Sequence, residues 1–227
     1  QADNTRYVVL GSDVRPTVLI VTSPGGLERE AFYVQQALIA AGADGSVYRA
    51  EGVAGGALQS WDQARLDAHV AIVLLSTRGL EHHGRELIAT YVRRGGGVLV
   101  AASGDVDGEV VSETLGGAKV AIAPPTDNPS ASGASRALAP ADLRPPVLRS
   151  FGDTSPLSLV QFTRVIGIRG ENCETLARFT TGETALIDCE AAAGRALILA
   201  SDLDNMGNDF PRHATFLPFL HEALRYL

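Results

Sequence analysis

Apolar residues fall into two alternating arrangements along this chain, continuous runs and helical repeats. Continuous runs of strand length occupy residues 17–21, 70–75 and 98–102. Apolar residues at helical spacing occupy residues 27–41, and a second helix is predicted over about 84–94. Strands and helices that alternate with short connections favour a parallel sheet with helices on both faces.

Weaker signals complete this outline. A short strand at 46–49 and a short helix at 62–68 are predicted between the first two apolar runs. The later part of the chain predicts strands at 158–168, 173–179, 183–189 and 196–200. Leucines recur at helical spacing in the last eleven residues, which predicts a final helix.

The stretch 121–146 differs in composition, because it holds six of the eleven prolines. It predicts an irregular insertion, at about 121–157, within one domain that spans 13–227. Residues 1–12 include a strand-like run at 5–10 and are expected to be an edge strand or the remnant of an upstream domain. Since the chain starts at Gln1 and its only methionine is Met206, it is expected to be a piece of a longer protein.

Charge and composition exclude two classes of function. The net charge is −7 and the chain has a single lysine, Lys119, so it lacks the basic face that nucleic acids or anionic membranes require. No apolar run approaches the roughly 18 to 20 residues that cross a bilayer. We therefore expect no nucleic-acid partner and no direct membrane insertion.

The run 194–227 contains several landmarks in order. They are a strand after Gly194-Arg195, the turn Ser201-x-x-Asp204, the step Asn208-Asp209-x-Pro211, and a helix with Leu217-Pro218 and His221. Together with DNTRYVVL (3–10), AFYVQQAL (31–38) and YVRRGGGVLVA (91–101), this run resembles a domain of the aerotolerance-type BatA-like membrane proteins. Those are bacterial envelope proteins with a von Willebrand factor A-like region.

The resemblance implies a class I glutamine amidotransferase-like fold. This is an α/β three-layer sandwich with a mostly parallel central sheet of flavodoxin-like topology, to which a C-terminal β-hairpin is added. It also implies an extracytoplasmic (periplasmic) location in the cell envelope, as part of a membrane-anchored protein. Partners are then expected among other envelope proteins or other domains of the same chain.

In that fold the nucleophile is a cysteine on a strand-to-helix turn, with a histidine as its base. The matching turn here holds Ser103, Gly104 and Asp105, without a cysteine and without the G-x-S-x-G pattern. The late strand at 196–200 leads into Ser201-Asp202-Leu203-Asp204, where no histidine follows. We predict no catalytic residue, and a vestigial site made of Ser103, Gly104, Asp105, Ser76 and Thr77.

Three other groups of residues are candidates for binding sites. Ser23, Gly25 and Gly26 follow the first strand, where open α/β sheets bind ligands, but they match no nucleotide-binding motif. The cluster Glu81-His82-His83 lacks zinc spacing and favours a solvent-facing helix start. The oxygen-rich residues at 202–209 lack the spacing of a calcium loop and favour turns and helix caps. Neither a metal nor a cofactor is expected.

The two cysteines lie on the two arms of the predicted hairpin. If residues 180–182 form a three-residue loop with Gly182 left-handed, Phe179 faces Glu183 and Cys173 faces Cys189. Facing residues are close enough for a disulfide, which would suit an oxidising compartment. The alternative, two unrelated small core residues, stays open.

These observations lead to one main hypothesis and two alternatives. The main hypothesis is a non-catalytic interaction or scaffolding domain of a larger membrane-anchored envelope protein. One alternative is a small-ligand sensing domain that uses the carboxyl edge of the sheet. The other is a hydrolase or amidotransferase that uses Ser103 with a histidine from elsewhere in the chain, such as His82 or His213.

Overall fold

The strands and helices alternate along the first half of the chain, as the apolar pattern predicts. The structure is a computed structural model, and it describes residues 15–40, 47–127, 136–140, 142–151 and 155–227. Its strands are β1 (Thr17–Thr22), β2 (Arg49–Ala54), β3 (Ala71–Leu74), β4 (Gly97–Ala101), β5 (Val120–Asp127), β6 (Leu138–Ala139), β7 (Arg164–Gly170), β8 (Cys173–Phe179), β9 (Thr184–Ala191) and β10 (Gly194–Leu199). Its helices are α1 (Leu27–Glu30), α2 (Phe32–Ile39), α3 (Gln63–Asp67), α4 (His82–Arg93), α5 (Gly108–Thr114), α6 (Pro146–Arg149), α7 (Ser155–Ser158) and α8 (Phe216–Tyr226), with 3₁₀ turns at Gly55–Ser60 and Phe210–Arg212.

Among the described residues, eight strands form a central sheet in the order β2-β1-β3-β4-β10-β9-β8-β6. The first five strands in this order are parallel, and the last three are antiparallel to their neighbours. The fold is therefore α/β with a mostly parallel central sheet, as predicted. Strands β8 and β9 form an antiparallel pair that is part of this sheet.

Helices cover the parallel half of the sheet on both faces. Helices α2, α6 and α8 pack together, and α3, α4 and α5 pack together. Right-handed crossovers place these two groups on opposite faces, because the chain reverses direction along the sheet after β2. Every residue of β3 and β4 is consequently buried, which explains why these strands are continuous apolar runs.

Several predicted elements differ in the structure. The predicted helix at 27–41 is two helices, α1 and α2, which meet at Ala31. The strand expected at 46–49 begins at Arg49, and the strand expected at 158–168 begins only at Arg164, as β7. Helix α5 was not predicted. The predicted strand at 5–10 and the proposed boundary at residue 12 lie outside the described residues.

The proline-rich stretch contains a strand, β5, which pairs antiparallel with β7 in a second small sheet. The register of this pair shifts between Ile122 and Pro125. Proline cannot donate to a strand ladder, so Pro124 and Pro125 are tolerated at this irregularity. The expectation of an irregular segment is wrong for residues 120–127.

Cys173 and Cys189 face each other at the open end of the β8–β9 pair and form a disulfide, with their Cα atoms 4.2 Å apart. The connecting turn has Gly182 at φ +97°, and the Phe179 amide donates to the Glu183 carbonyl at 2.8 Å. Two register shifts in the middle of the pair cancel each other. The facing pair is therefore the one that the simple count predicts.

Candidate functional site

A cavity of about 240 Å³ opens at the carboxyl ends of the parallel strands. Five segments form its walls: Leu75 after β3, residues 101–105 at the end of β4 and beyond, residues 201–204 after β10, Arg164 and Ile166 of β7, and Arg29 and Glu30 of α1. The exposed side chain of Met206 lies at the same cavity. This is the edge of the sheet at which open α/β folds bind ligands.

The turn after β4 carries the predicted vestigial site. Ser103, Gly104 and Asp105 line the cavity, whereas Ser76 and Thr77 do not. The hydroxyl groups of Ser76 and Thr77 donate to the Asp105 carbonyl at 3.3 and 3.1 Å, so they support the turn from behind. The Ser103 hydroxyl oxygen accepts a hydrogen bond from the Asp105 amide at 3.2 Å.

An activated serine requires a base within hydrogen-bond reach. All five histidines belong to the described part of the chain, and none of them lines the cavity. Their ring nitrogens contact other groups: His69 contacts Leu66 and Glu51, His82 contacts Glu86, His83 contacts Trp61, His213 contacts Asp209, and His221 contacts Ala37. The histidines considered as partners of Ser103, His82 and His213, are thus engaged elsewhere.

The loop after β1 holds a carboxylate at the cavity. Glu30 is only 7% exposed, and its carboxylate accepts hydrogen bonds from the Ser23 amide at 2.9 Å and from the Ser23 hydroxyl. A Cβ atom on Gly26 would overlap this carboxylate, so a larger residue there would displace the Glu30 side chain. Ser23 and Gly26, predicted as part of a ligand loop, therefore position Glu30, which lines the cavity itself.

The turn after β10 brings two more carboxyl groups to the cavity. Partial burial, the charge of Asp204 and a hydrogen bond with Asp204 raise the pKa of Asp202 to about 7. One oxygen of Asp202 accepts from the Gly207 amide at 3.3 Å and from the Asn208 side chain at 3.1 Å. The second carboxyl group therefore adds to the effect of burial in disfavouring the charged form of Asp202.

Two further side-chain oxygens of this turn accept hydrogen bonds from its own backbone. Asp204 accepts from the Met206 amide at 3.0 Å, and the Asn208 oxygen accepts from the Phe210 amide at 2.9 Å. Asn205 adopts the left-handed region at φ +67°, where asparagine is tolerated. Within the described ranges, no group of three or more His, Cys, Asp or Glu side chains is arranged to hold a metal ion.

Sequence reasoning missed Glu30 and Arg164 as cavity residues and interpreted Asp202 and Asp204 only as turn or calcium candidates. One signal was available, because these two aspartates follow a buried strand directly and so reach the carboxyl edge of the sheet. Glu30 gave no such signal. It lies within an apparently continuous helical pattern, and only the break at Ala31 places it at the cavity.

No protein-family model matches the chain, and no curated protein matches it in sequence. Solved structures do match. The cytoplasmic protein STM3548 from Salmonella typhimurium has 13% identity and a TM-score of 0.69, over 93% of this chain and 98% of its own. A ThuA-like protein from Parabacteroides merdae has 14% identity and a TM-score of 0.63, over 93% and 90%. A GMP synthase subunit from Thermoplasma acidophilum has 10% identity and a TM-score of 0.54, over 95% and 97%.

These likenesses define the class of the fold, which is glutamine amidotransferase-like. At 10 to 14% identity they concern the fold alone and carry no activity to this chain.

The expected envelope location is corrected by the same comparison. STM3548, which matches over nearly its whole length, is named a cytoplasmic protein, and this points away from the cell envelope. No helix within the described residues is both long and apolar enough to cross a membrane.

Proposed function

We propose that this domain binds a small polar molecule in the cavity and does not catalyse amidotransfer. One observation supports this proposal: Glu30, Asp202 and Asp204 all line the same cavity. Removing carboxyl groups from water is costly, and the raised pKa of Asp202 is a direct sign of that cost. Perturbed carboxyl groups in a cleft are typical of functional sites.

The lining indicates the chemistry of the ligand. Its acidic side chains are those of Glu30, Asp105, Asp202 and Asp204, and its basic side chains are those of Arg29 and Arg164. Leu75, Ile166 and Leu203 add apolar surface. A ligand with amine or hydroxyl donors and a short apolar part fits this lining. Its size is limited, because the volume equals that of about eight water molecules.

The absence of catalysis is part of the proposal. It is supported by the bond between the Ser103 hydroxyl and the Asp105 amide, and by the position of the histidines outside the cavity. Without a histidine at the cavity, Ser103 lacks the base that serves the nucleophile in catalytic members of this fold, and its hydroxyl is a poor nucleophile.

An interaction or scaffolding role is the second candidate, and one observation favours it. Phe32 and Ile39 are 49% and 56% exposed and lie seven residues apart on α2, so they share one face of the helix. Such a face could contact another domain of a longer chain. Membership of the BatA-like family remains a prediction from residues 194–227, since neither sequence comparison supports it.

The test is a thermal-shift screen with small probes of three charge types: ethanolamine, glycerol and acetate. A probe that binds only the folded protein at about 100 times its Kd adds about 2.7 kcal/mol, which raises the Tm by several degrees for a domain of this size. We expect ethanolamine to give the largest rise and Asp202→Asn to abolish it. Glu113→Gln, an exposed acid outside the cavity, should leave the rise intact. Equal responses of wild type and Asp202→Asn to every probe would favour the scaffolding role.

A further inference from the structure

Strand β7 connects the cavity with the disulfide. Arg164 and Ile166, near its start, line the cavity, whereas Gly170 at its end packs against the bonded sulfurs. A Cβ atom on Gly170 would overlap Cys173 Sγ and would lie 3.3 Å from Cys189 Sγ. A two-residue turn joins β7 to β8. Strand β7 itself spans about 20 Å, from the cavity to the disulfide.

The first half of β7 also fixes the loop that carries the acid pair. The Arg164 amide donates to the Gly207 carbonyl at 2.9 Å, and the Ile166 amide donates to the Ala200 carbonyl at 2.8 Å. In return, the Ser201 hydroxyl donates to the Arg164 carbonyl at 3.3 Å. The residues on either side of Asp202 are therefore held by backbone groups of β7.

The end of the β8–β9 pair that carries the disulfide contains an unfavourable charge arrangement. Glu174 faces Asp188 directly beside the disulfide, and like charges in facing positions destabilise a strand pair. One oxygen of Asp188 accepts from Arg195 Nη1 and from the Tyr226 hydroxyl, both at 2.6 Å. The other oxygen of Asp188 is buried without a partner. The covalent bond therefore joins strand ends at which two acidic side chains face each other, and only Asp188 is shown with a basic partner, Arg195.

We propose that the Cys173–Cys189 bond is a redox switch that sets the order of β7 and, through it, the wall of the cavity. Cys173 is partly exposed and Cys189 is fully buried, so a dithiol reductant attacks Cys173 Sγ. The Sγ–Sγ bond breaks, and its electron pair passes to the Cys189 sulfur, which takes up a proton. The second thiol of the reductant then displaces Cys173 as a thiol and leaves the reductant as its own disulfide.

In the reduced protein, the repulsion between Glu174 and Asp188 is no longer opposed by the bond. The ends of β8 and β9 separate, Gly170 loses the packing of the sulfurs, and β7 holds the loop at 200–207 less firmly. Backbone amide exchange reports this loosening directly, because exchange rates follow local opening.

The experiment measures amide hydrogen exchange with and without dithiothreitol at Ile166 and Gly207, two amides hydrogen-bonded at the cavity wall. Leu99, in the centre of β4, serves as the remote reference. We expect reduction to speed exchange at Ile166 and Gly207 by roughly tenfold or more, with no change at Leu99. Unchanged rates at the wall, an equal rise at all three amides, or a bond that dithiothreitol leaves intact would each overturn the proposal.

Two variants separate the switch from a general effect of the reagent. Cys173→Ala, at the partly exposed position, should show the fast exchange in both conditions. Glu174→Gln keeps the bond but removes the repulsion, so reduction should speed exchange at Ile166 less than in the wild type. An identical response of Glu174→Gln and wild type would contradict the role assigned to the facing acids.

Discussion

Burial and a neighbouring carboxyl group both raise the pKa of Asp202. Both disfavour the charged form, and burial is the larger effect. The surrounding donors, the Gly207 amide and the Asn208 side chain, offset only part of this cost. A group of this kind destabilises the folded protein at neutral pH, which is the pattern expected where a binding site requires it.

The first prediction concerns the pH dependence of stability. The pKa of Asp202 rises from an ordinary 3.8 to about 7 on folding, so between these values the folded state binds more protons than the unfolded state. The contribution of Asp202 is present at low pH and is lost as pH rises towards 7. Asp202→Asn cannot titrate, so its free energy of unfolding relative to wild type should increase from pH 4.5 to 8, by on the order of 1 to 4 kcal/mol.

Urea denaturation at four pH values measures this difference. Glu113→Gln, at an exposed acid outside the cavity, is measured in parallel as the control for removing a carboxyl group. A constant difference for Asp202→Asn would show that the carboxyl group titrates alike in the folded and unfolded chains.

Ser103 gives the second prediction at this scale. Its hydroxyl oxygen accepts one backbone hydrogen bond, so Ser103→Ala should cost no more than about 1.5 kcal/mol of stability. Wild type and Ser103→Ala should both hydrolyse p-nitrophenyl acetate at the buffer rate. Turnover by wild type that disappears in Ser103→Ala would instead establish a serine hydrolase.

At the scale of elements, helix α5 begins with a side-chain cap. Asp107 accepts hydrogen bonds from the amides of Glu109 and Val110 at 2.8 and 3.1 Å, which satisfies two donors of the first turn. The helix then leads the chain from β4 towards β5, beside the turn that carries Ser103.

Asp107→Ala should therefore lower the free energy of unfolding by about 1 kcal/mol, whereas Asp107→Asn, which can still cap, should cost only a few tenths. Chemical denaturation of the three proteins decides this. Equal stability of the Ala and Asn variants would mean that the cap contributes nothing.

The elements also show which local signals a sequence carries. The buried strands β1, β3 and β4 were predictable because burial on both faces requires continuous apolar runs. Helix α5 was not, because its seven residues are too few for a helical period to stand out, although Asp107 ahead of Glu109 was a visible cap signal. Strand β5 was not predictable, because Pro124 and Pro125 are unusual within a strand. The register shift beside them is visible only in the pairing of β5 with β7.

At the scale of the whole molecule, the cavity depends on contacts that no local pattern encodes. The edge of the sheet was predictable, since parallel strands place their carboxyl ends together. Ser103 to Asp105 were found because they match the strand-to-helix turn of the amidotransferase-like fold. Glu30, Arg164 and Asp202 come from segments far apart in sequence. Their meeting follows from the strand order β1-β3-β4-β10 and from the separate β5–β7 pair, neither of which periodicity determines.

Binding of a small ligand in this cavity is measured by a backbone-amide NMR titration. The probe is the one that raises the Tm most in the thermal-shift screen. We expect saturable shifts at Ser103, Asp105, Ile166 and Gly207, and their loss in Asp202→Asn. Shifts confined to another surface, such as the groove between α4 and α5 that His82 and Arg85 line, would show that the ligand binds elsewhere. The absence of any saturable shift would show that it does not bind.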